Sequence, residues 1–127
     1  MRIITIGLVL LGLLGLAPVA HAEVDSNEFL ASYKAASEKG QTYLRGYMIG
    51  LVTAYAYTNT ALKSQGAAPF YCIPTGIDLG NEEVVGLMRQ TIRKDSQIGR
   101  APFGMALLVA LTRRFPCKNK KAAPPAP

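Results

Sequence analysis

Apolar positions recur at helical spacing in four separate stretches of this chain, and nowhere do they alternate with polar ones over a length that a strand would need. The pattern predicts an all-α domain, a small four-helix unit. The first stretch places Phe29, Leu30, Tyr33 and Ala36 on one face. Its start falls around Asp25 to Asn27, any of which can cap; Glu28 suits the positive end, and Gly40 is the predicted stop. The second runs from about Thr42 to Ser64. It spreads Leu44, Tyr47, Met48, Leu51, Val52, Tyr55 and Leu62 around much of its circumference, which predicts the central helix of the fold.

Pro69, Pro74 and Gly76 break the pattern after Ser64. A third helix, capped by Asp78 or Asn81, then buries Val84, Val85, Leu87, Met88 and Ile92; Glu82 and Glu83 favour its positive end, while Arg89, Arg93 and Lys94 sit in its last turns. Lys94 to Arg100 reads as a polar loop. Pro102 fits the first turn of a fourth helix, which carries Met105, Leu108, Val109 and Leu111 as far as Phe115-Pro116.

Within the second stretch Gly46, Gly50 and Ala54 follow at intervals of four, a strip of small residues that lets another backbone approach closely. A glycine costs a helix about 1 kcal/mol relative to Ala, so the strip implies a packing role. The expectation is close packing against another helix of the same chain, with a dimer seam as the alternative. Tyr43, Tyr47, Tyr55 and Tyr57 are expected in the core with hydroxyls at its edge.

Residues 1–22 have the form of a secretory leader: Arg2, an apolar run from Ile3 to Leu16, and Ala20-His21-Ala22 as an A-x-A cleavage site. The run is shorter than the roughly 20 residues a spanning helix needs, so no stable membrane anchor is expected after cleavage behind Ala22. About 105 residues would remain in the periplasm, enough for one domain. The helical domain is placed at 23–117, followed by a Lys/Pro/Ala tail over 118–127 that is expected to be disordered.

The sole His leaves with the leader, and the chain has no Trp. The mature protein therefore has no His for a triad, a metal site or a general base. Glu82 and Glu83 are neighbours facing different directions on a helix and do not form an acid and base pair. No catalytic residue, metal or cofactor is expected. The formal net charge of +6 falls by one with Arg2, and the basic residues gather late, from Arg89 to Lys121, opposed there only by Asp95. An acidic protein surface, anionic lipid or nucleic acid would each suit such charge, as would a merely solvated surface. Export leaves nucleic acid outside the expected partners.

Cys72 and Cys117, the only cysteines, bracket the third and fourth helices. Helices of roughly 15 and 13 residues are about 22 and 20 Å long, so an antiparallel pair brings the chain back to its starting level. In an oxidising compartment this predicts a disulfide that closes the C-terminal helical hairpin.

The bracket also carries a resemblance. Cys72-Ile73-Pro74, Gly76-Ile77-Asp78, Val84-Val85, Ala110-Leu111 and Phe115-Pro116-Cys117, with Gly46-Tyr47 and Gly50 upstream, resemble the Rap1a/Tai family of periplasmic immunity proteins over roughly residues 28 to 117. Many relatives have further cysteines near the first helix and before the glycine-tyrosine motif; this chain has Tyr33 and its neighbours, and Leu44, instead. The resemblance implies an all-helical, often dimeric protein that inhibits by binding. Its implied partner is a type VI secretion effector of the cell-wall hydrolase or amidase class. Lys94, Asp95, Ser96, Gln97 and Arg100 form the candidate effector-binding loop, because core packing does not need them. A small periplasmic stress chaperone, or a periplasmic binding protein of another kind, is the alternative function, although eight acidic residues make a modest titratable load for acid activation.

Overall fold

The computed structural model describes residues 23–118; the leader expected over 1–22 and nearly all of the tail lie outside them. Four α-helices and a 3₁₀ segment make up the regular structure: α1 (Ser26–Ala35), α2 (Glu38–Ser64), α3 (Asn81–Lys94), the 3₁₀ segment (Ser96–Arg100) and α4 (Phe103–Arg114). No strand occurs among the described residues, and the only extended pairing is an isolated bridge between Asp25 and Pro102. The all-α class and the four helices are as the apolar spacing requires.

The boundaries differ from expectation where side chains cap. Asp25 starts α1 by accepting the Glu28 backbone N–H at 2.9 Å. The helix then ends at Ala35 rather than Gly40, because Ser37 caps the next helix, its Oγ accepting from the Gly40 N–H at 3.4 Å. Gly40 thus lies in the first turn of α2 and does not terminate α1. Neither Asp78 nor Asn81 caps α3: Gly80 precedes the helix with no side-chain cap, and Asn81 is its first residue. Pro102 stands one residue ahead of α4, where its missing N–H costs nothing.

The core is centred on α4, not on α2. Phe103, Gly104, Ala106, Leu107, Ala110 and Leu111 are buried on one short helix. Val84, Val85 and Met88 of α3 pack with them, as do Phe29, Leu30 and Tyr33 of α1. The 27-residue α2 has only Met48 and Asn59 buried, with Leu44, Leu51, Val52 and Tyr55 partly covered. Its apolar circumference led to the opposite expectation. Circumference alone records how much surface needs cover, not which part of it the same chain provides.

Cys72 and Cys117 are bonded, with their Cα atoms 5.0 Å apart, and the described residues contain no free cysteine. The disulfide therefore closes the hairpin of α3 and α4. A backbone hydrogen bond from the Cys72 N–H to the Phe115 carbonyl, 2.8 Å, runs beside it. Buried Asn59 ties this region to α2: its amide donates to the Tyr71 carbonyl at 3.0 Å and accepts from the Phe70 N–H at 2.9 Å.

Candidate interaction surfaces

The polar segment after α3 is a rigid shelf. Asp95 ends α3 through its own N–H, which reaches the Thr91 carbonyl, and then caps the 3₁₀ segment, Oδ1 accepting from the Gln97 N–H at 3.2 Å. Its Oδ2 takes both Nη1 and Nη2 of Arg113, each at 3.0 Å. From the other side Ser26 donates its backbone N–H and its hydroxyl to the Ala101 carbonyl, both at 3.0 Å. Gly99 is buried so closely against Asn27 that an added Cβ would lie 2.5 Å from the amide. The five predicted contact residues therefore divide: Lys94, Ser96, Gln97 and Arg100 are exposed, whereas Asp95 works inward as the brace that shapes the segment.

Basic side chains extend this shelf. Lys94, Arg113 and Arg114 line a narrow groove between α3 and α4 whose floor is Leu87, Thr91 and Ala110. Arg114 also lies over the Phe115 ring, 5.4 Å from its centroid, which fixes the end of α4. Both helices finish here with cations against their carbonyl ends, as the macrodipole favours.

A second surface was not foreseen. Glu23, Val24, Phe29, Tyr43, Leu44, Tyr47 and Phe103 surround an open, largely apolar groove of about 460 Å³. The Phe29 and Phe103 rings stack at 3.8 Å, with Tyr47 5.5 Å from Phe29. The Glu23 carboxylate accepts the Gly104 N–H at the start of α4, 2.8 Å away, and the Tyr47 hydroxyl. The Val24 carbonyl accepts the Phe103 N–H at 3.1 Å, so residues 23–26 strap the N-terminus of α4. Burial, then the hydrogen bond to Glu23, raises the Tyr47 phenol above its ordinary pKa; burial followed by the Glu23 charge does the same to Tyr55. Contacts between positions 81 residues apart leave no local trace in a sequence.

The third surface is the outer side of α2. An added Cβ at Gly46 or Gly50 would meet no heavy atom within 4 Å, and Ala54 is exposed. No helix among the described residues packs on the strip. Tyr43, Tyr47 and Tyr57, at 68%, 39% and 72% exposure, stand outside the core, contrary to the expectation for them, and Ile49 is exposed on the same helix. Tyr55 is half-buried, its hydroxyl donating to the Gly104 carbonyl at 2.7 Å.

Elsewhere the titratable groups serve structure. Tyr33 donates to Glu82 at 3.0 Å and accepts from Arg45 at 3.2 Å, a contact that raises the Arg45 pKa. Glu83 lies apart from Glu82, folded back against Gly80. Among the described residues no three His, Cys, Asp or Glu side chains gather as a metal site, and no helix is long and apolar enough to cross a membrane. No family model matches the chain, and neither a curated protein nor a solved structure matches it significantly.

Proposed function

We propose that the chain is a periplasmic immunity protein that binds a type VI secretion effector and blocks it by covering its cleft, with a peptidoglycan amidase as the target class. The carrying observation is the braced segment Ser96–Arg100 with Lys94: polar side chains point outward from a backbone fixed at both ends by Asp95 and Ala101. A recognition element already held in shape loses little conformational entropy when it docks. The basic groove beside it supplies positive charge that would steer an acidic cleft toward the shelf. The likeness of the cysteine bracket to the Rap1a/Tai family supplies the target class.

The test is to produce the chain, with and without residues 1–22, beside any cell-wall hydrolase that a neighbouring gene encodes, directed to the periplasm. Relief of lysis by the exported form alone, together with a stable complex of the two purified proteins, is the expected outcome. Gln97→Ala with Arg100→Ala should weaken that complex at least tenfold while leaving the helical circular dichroism unchanged; Asp95 is spared because it braces the fold. A hydrolase that neither binds the chain nor loses toxicity would remove the immunity reading. Tight binding untouched by the double substitution would remove the shelf from the interface.

A further inference from the structure

We infer that the groove between the strap and α2 receives a small organic cation, an alkyl or aryl ammonium whose apolar body lies on aromatic rings while its charge meets the Glu23 carboxylate. The inference stands apart from the immunity reading: no residue of the shelf or of the basic groove lines this one. Its volume of about 460 Å³ falls within the range of small-molecule sites, and its lining is apolar but for one carboxylate and the phenol groups. Such a lining selects a ligand that is apolar over most of its surface and charged at one point.

The rings divide by exposure. Phe29 and Phe103 are buried and stacked on each other, so they make the floor. Tyr43 and Tyr47 stand about one turn apart on α2 and keep ring surface exposed at the rim. The face of an aromatic ring is electronegative, so a cation laid against these tyrosines is attracted, where a neutral apolar group of the same shape gains contact alone.

Charge at the rim points the same way. The Gly104 N–H and the Tyr47 hydroxyl both donate to Oε1 of Glu23 and fix the carboxylate in place, while Oε2 has no hydrogen-bond partner among the described residues. Burial and the bond to Glu23 keep the Tyr47 phenol protonated, so the negative charge of the pair stays on the carboxylate. No Lys or Arg among the described residues forms a salt bridge with Glu23. From Glu23 to Tyr33 the chain has Glu23, Asp25 and Glu28 and no Lys or Arg, in a protein whose formal net charge is +6. Cleavage behind Ala22 would add one α-ammonium at Glu23 and still leave this stretch net negative. The groove is thus an acidic, aromatic notch on a basic protein, and an organic cation is the occupant that matches it in charge, in size and in ring surface.

Titration of the purified chain with choline, and with the neutral alcohol in which carbon replaces its nitrogen, tests the proposal by magnetic resonance. The N-methyl protons of choline should move upfield as they meet ring faces, with matching shifts at Tyr43 and Tyr47, and choline should bind at least tenfold more tightly than the alcohol. Glu23→Gln keeps an oxygen for the Gly104 N–H but loses the charge, so it should bring the two affinities within a few-fold of each other while the helical circular dichroism stays unchanged. Tyr43→Ala, which removes an exposed ring, should weaken choline severalfold. Equal affinity for the two probes in the parent, binding of neither at tens of millimolar, or full preference for choline in the Glu23→Gln form overturns the site. Undiminished binding by Tyr43→Ala, or shifts confined to Tyr33, Tyr57 and Tyr71, would set the cation elsewhere and overturn it equally.

Discussion

Removing the Cys72–Cys117 bond should cost the domain a large share of its stability. The cysteines are separated by 45 positions, so the bond closes a loop of about 46 residues. In the chain-entropy treatment, closing such a loop withdraws about 4 kcal/mol of freedom from the unfolded ensemble. A domain of this size has about 5 to 14 kcal/mol in total. The native side is not strongly disturbed by the loss, because the Cys72 N–H still has the Phe115 carbonyl and Asn59 still holds Phe70 and Tyr71. The effect should thus reside in the unfolded state. Urea unfolding of the Cys72→Ala/Cys117→Ala form, and of the parent under a thiol-free reductant, should agree with each other. With a slope of about 1 to 2 kcal/mol/M the midpoint should fall by about 2 to 4 M. The slope of the oxidised form should be smaller than that of the open form, because its denatured chain is more compact. A midpoint shift under about 0.5 M at unchanged slope would refute the reasoning, since it would mean that the open chain already holds these ends together.

Three further outcomes follow from the packing. Asn59→Ala strips partners from the Phe70 N–H and the Tyr71 carbonyl and should cost about 2 to 4 kcal/mol, read as a Tm lower by about 10 to 20 °C. Leu107→Ala empties a fully buried site at the middle of α4 and should cost about 2 to 5 kcal/mol in urea melts, whereas Met105→Ala, on the exposed side of the same helix, should stay within about 0.5 kcal/mol. Tyr47, Tyr55 and Tyr71 have pKa values raised in the folded state, chiefly by burial. Their contribution is complete below the unfolded phenol value of about 10 and is lost as pH rises through the folded values. Phenolate absorbance should therefore show a late component from Tyr47, Tyr55 and Tyr71, and urea midpoints should fall above about pH 10, less steeply in Tyr55→Phe.

Local physics made much of this fold legible from its residues. Cys72 and Cys117 could be paired because helix rise converts residue counts into lengths, and the lengths matched. Asp25 could be read as a cap because its partner, the Glu28 N–H, is three residues away. Ser37 offers the same local signal, and it outweighs Gly40 as a breaker: one glycine in a first turn is tolerated when a hydroxyl three residues earlier takes its N–H. The polar run Lys94 to Arg100 was recognisable as surface, but not the inward turn of Asp95, which depends on Arg113 eighteen positions on. The Glu23 strap and the groove it borders were out of reach for the same reason.

The misplaced centre of the fold is more instructive than the missed groove. α2 and α4 are both rich in apolar and small residues, yet α4 is short and flanked by α1, α3 and the strap, so nearly every one of its inward positions is covered. α2 is longer than any element that packs on it: at 27 residues it spans about 40 Å, against about 21 Å for α3. The described elements are too short to surround such a helix, so part of its apolar circumference is left uncovered by them. Lys39 is the last charge before that outer strip of small residues and tyrosines begins at Tyr43, and Arg45 and Lys63 lie to its flank. How deep a helix lies is thus decided by the length and placement of what packs on it, not by how much of its own circumference is apolar.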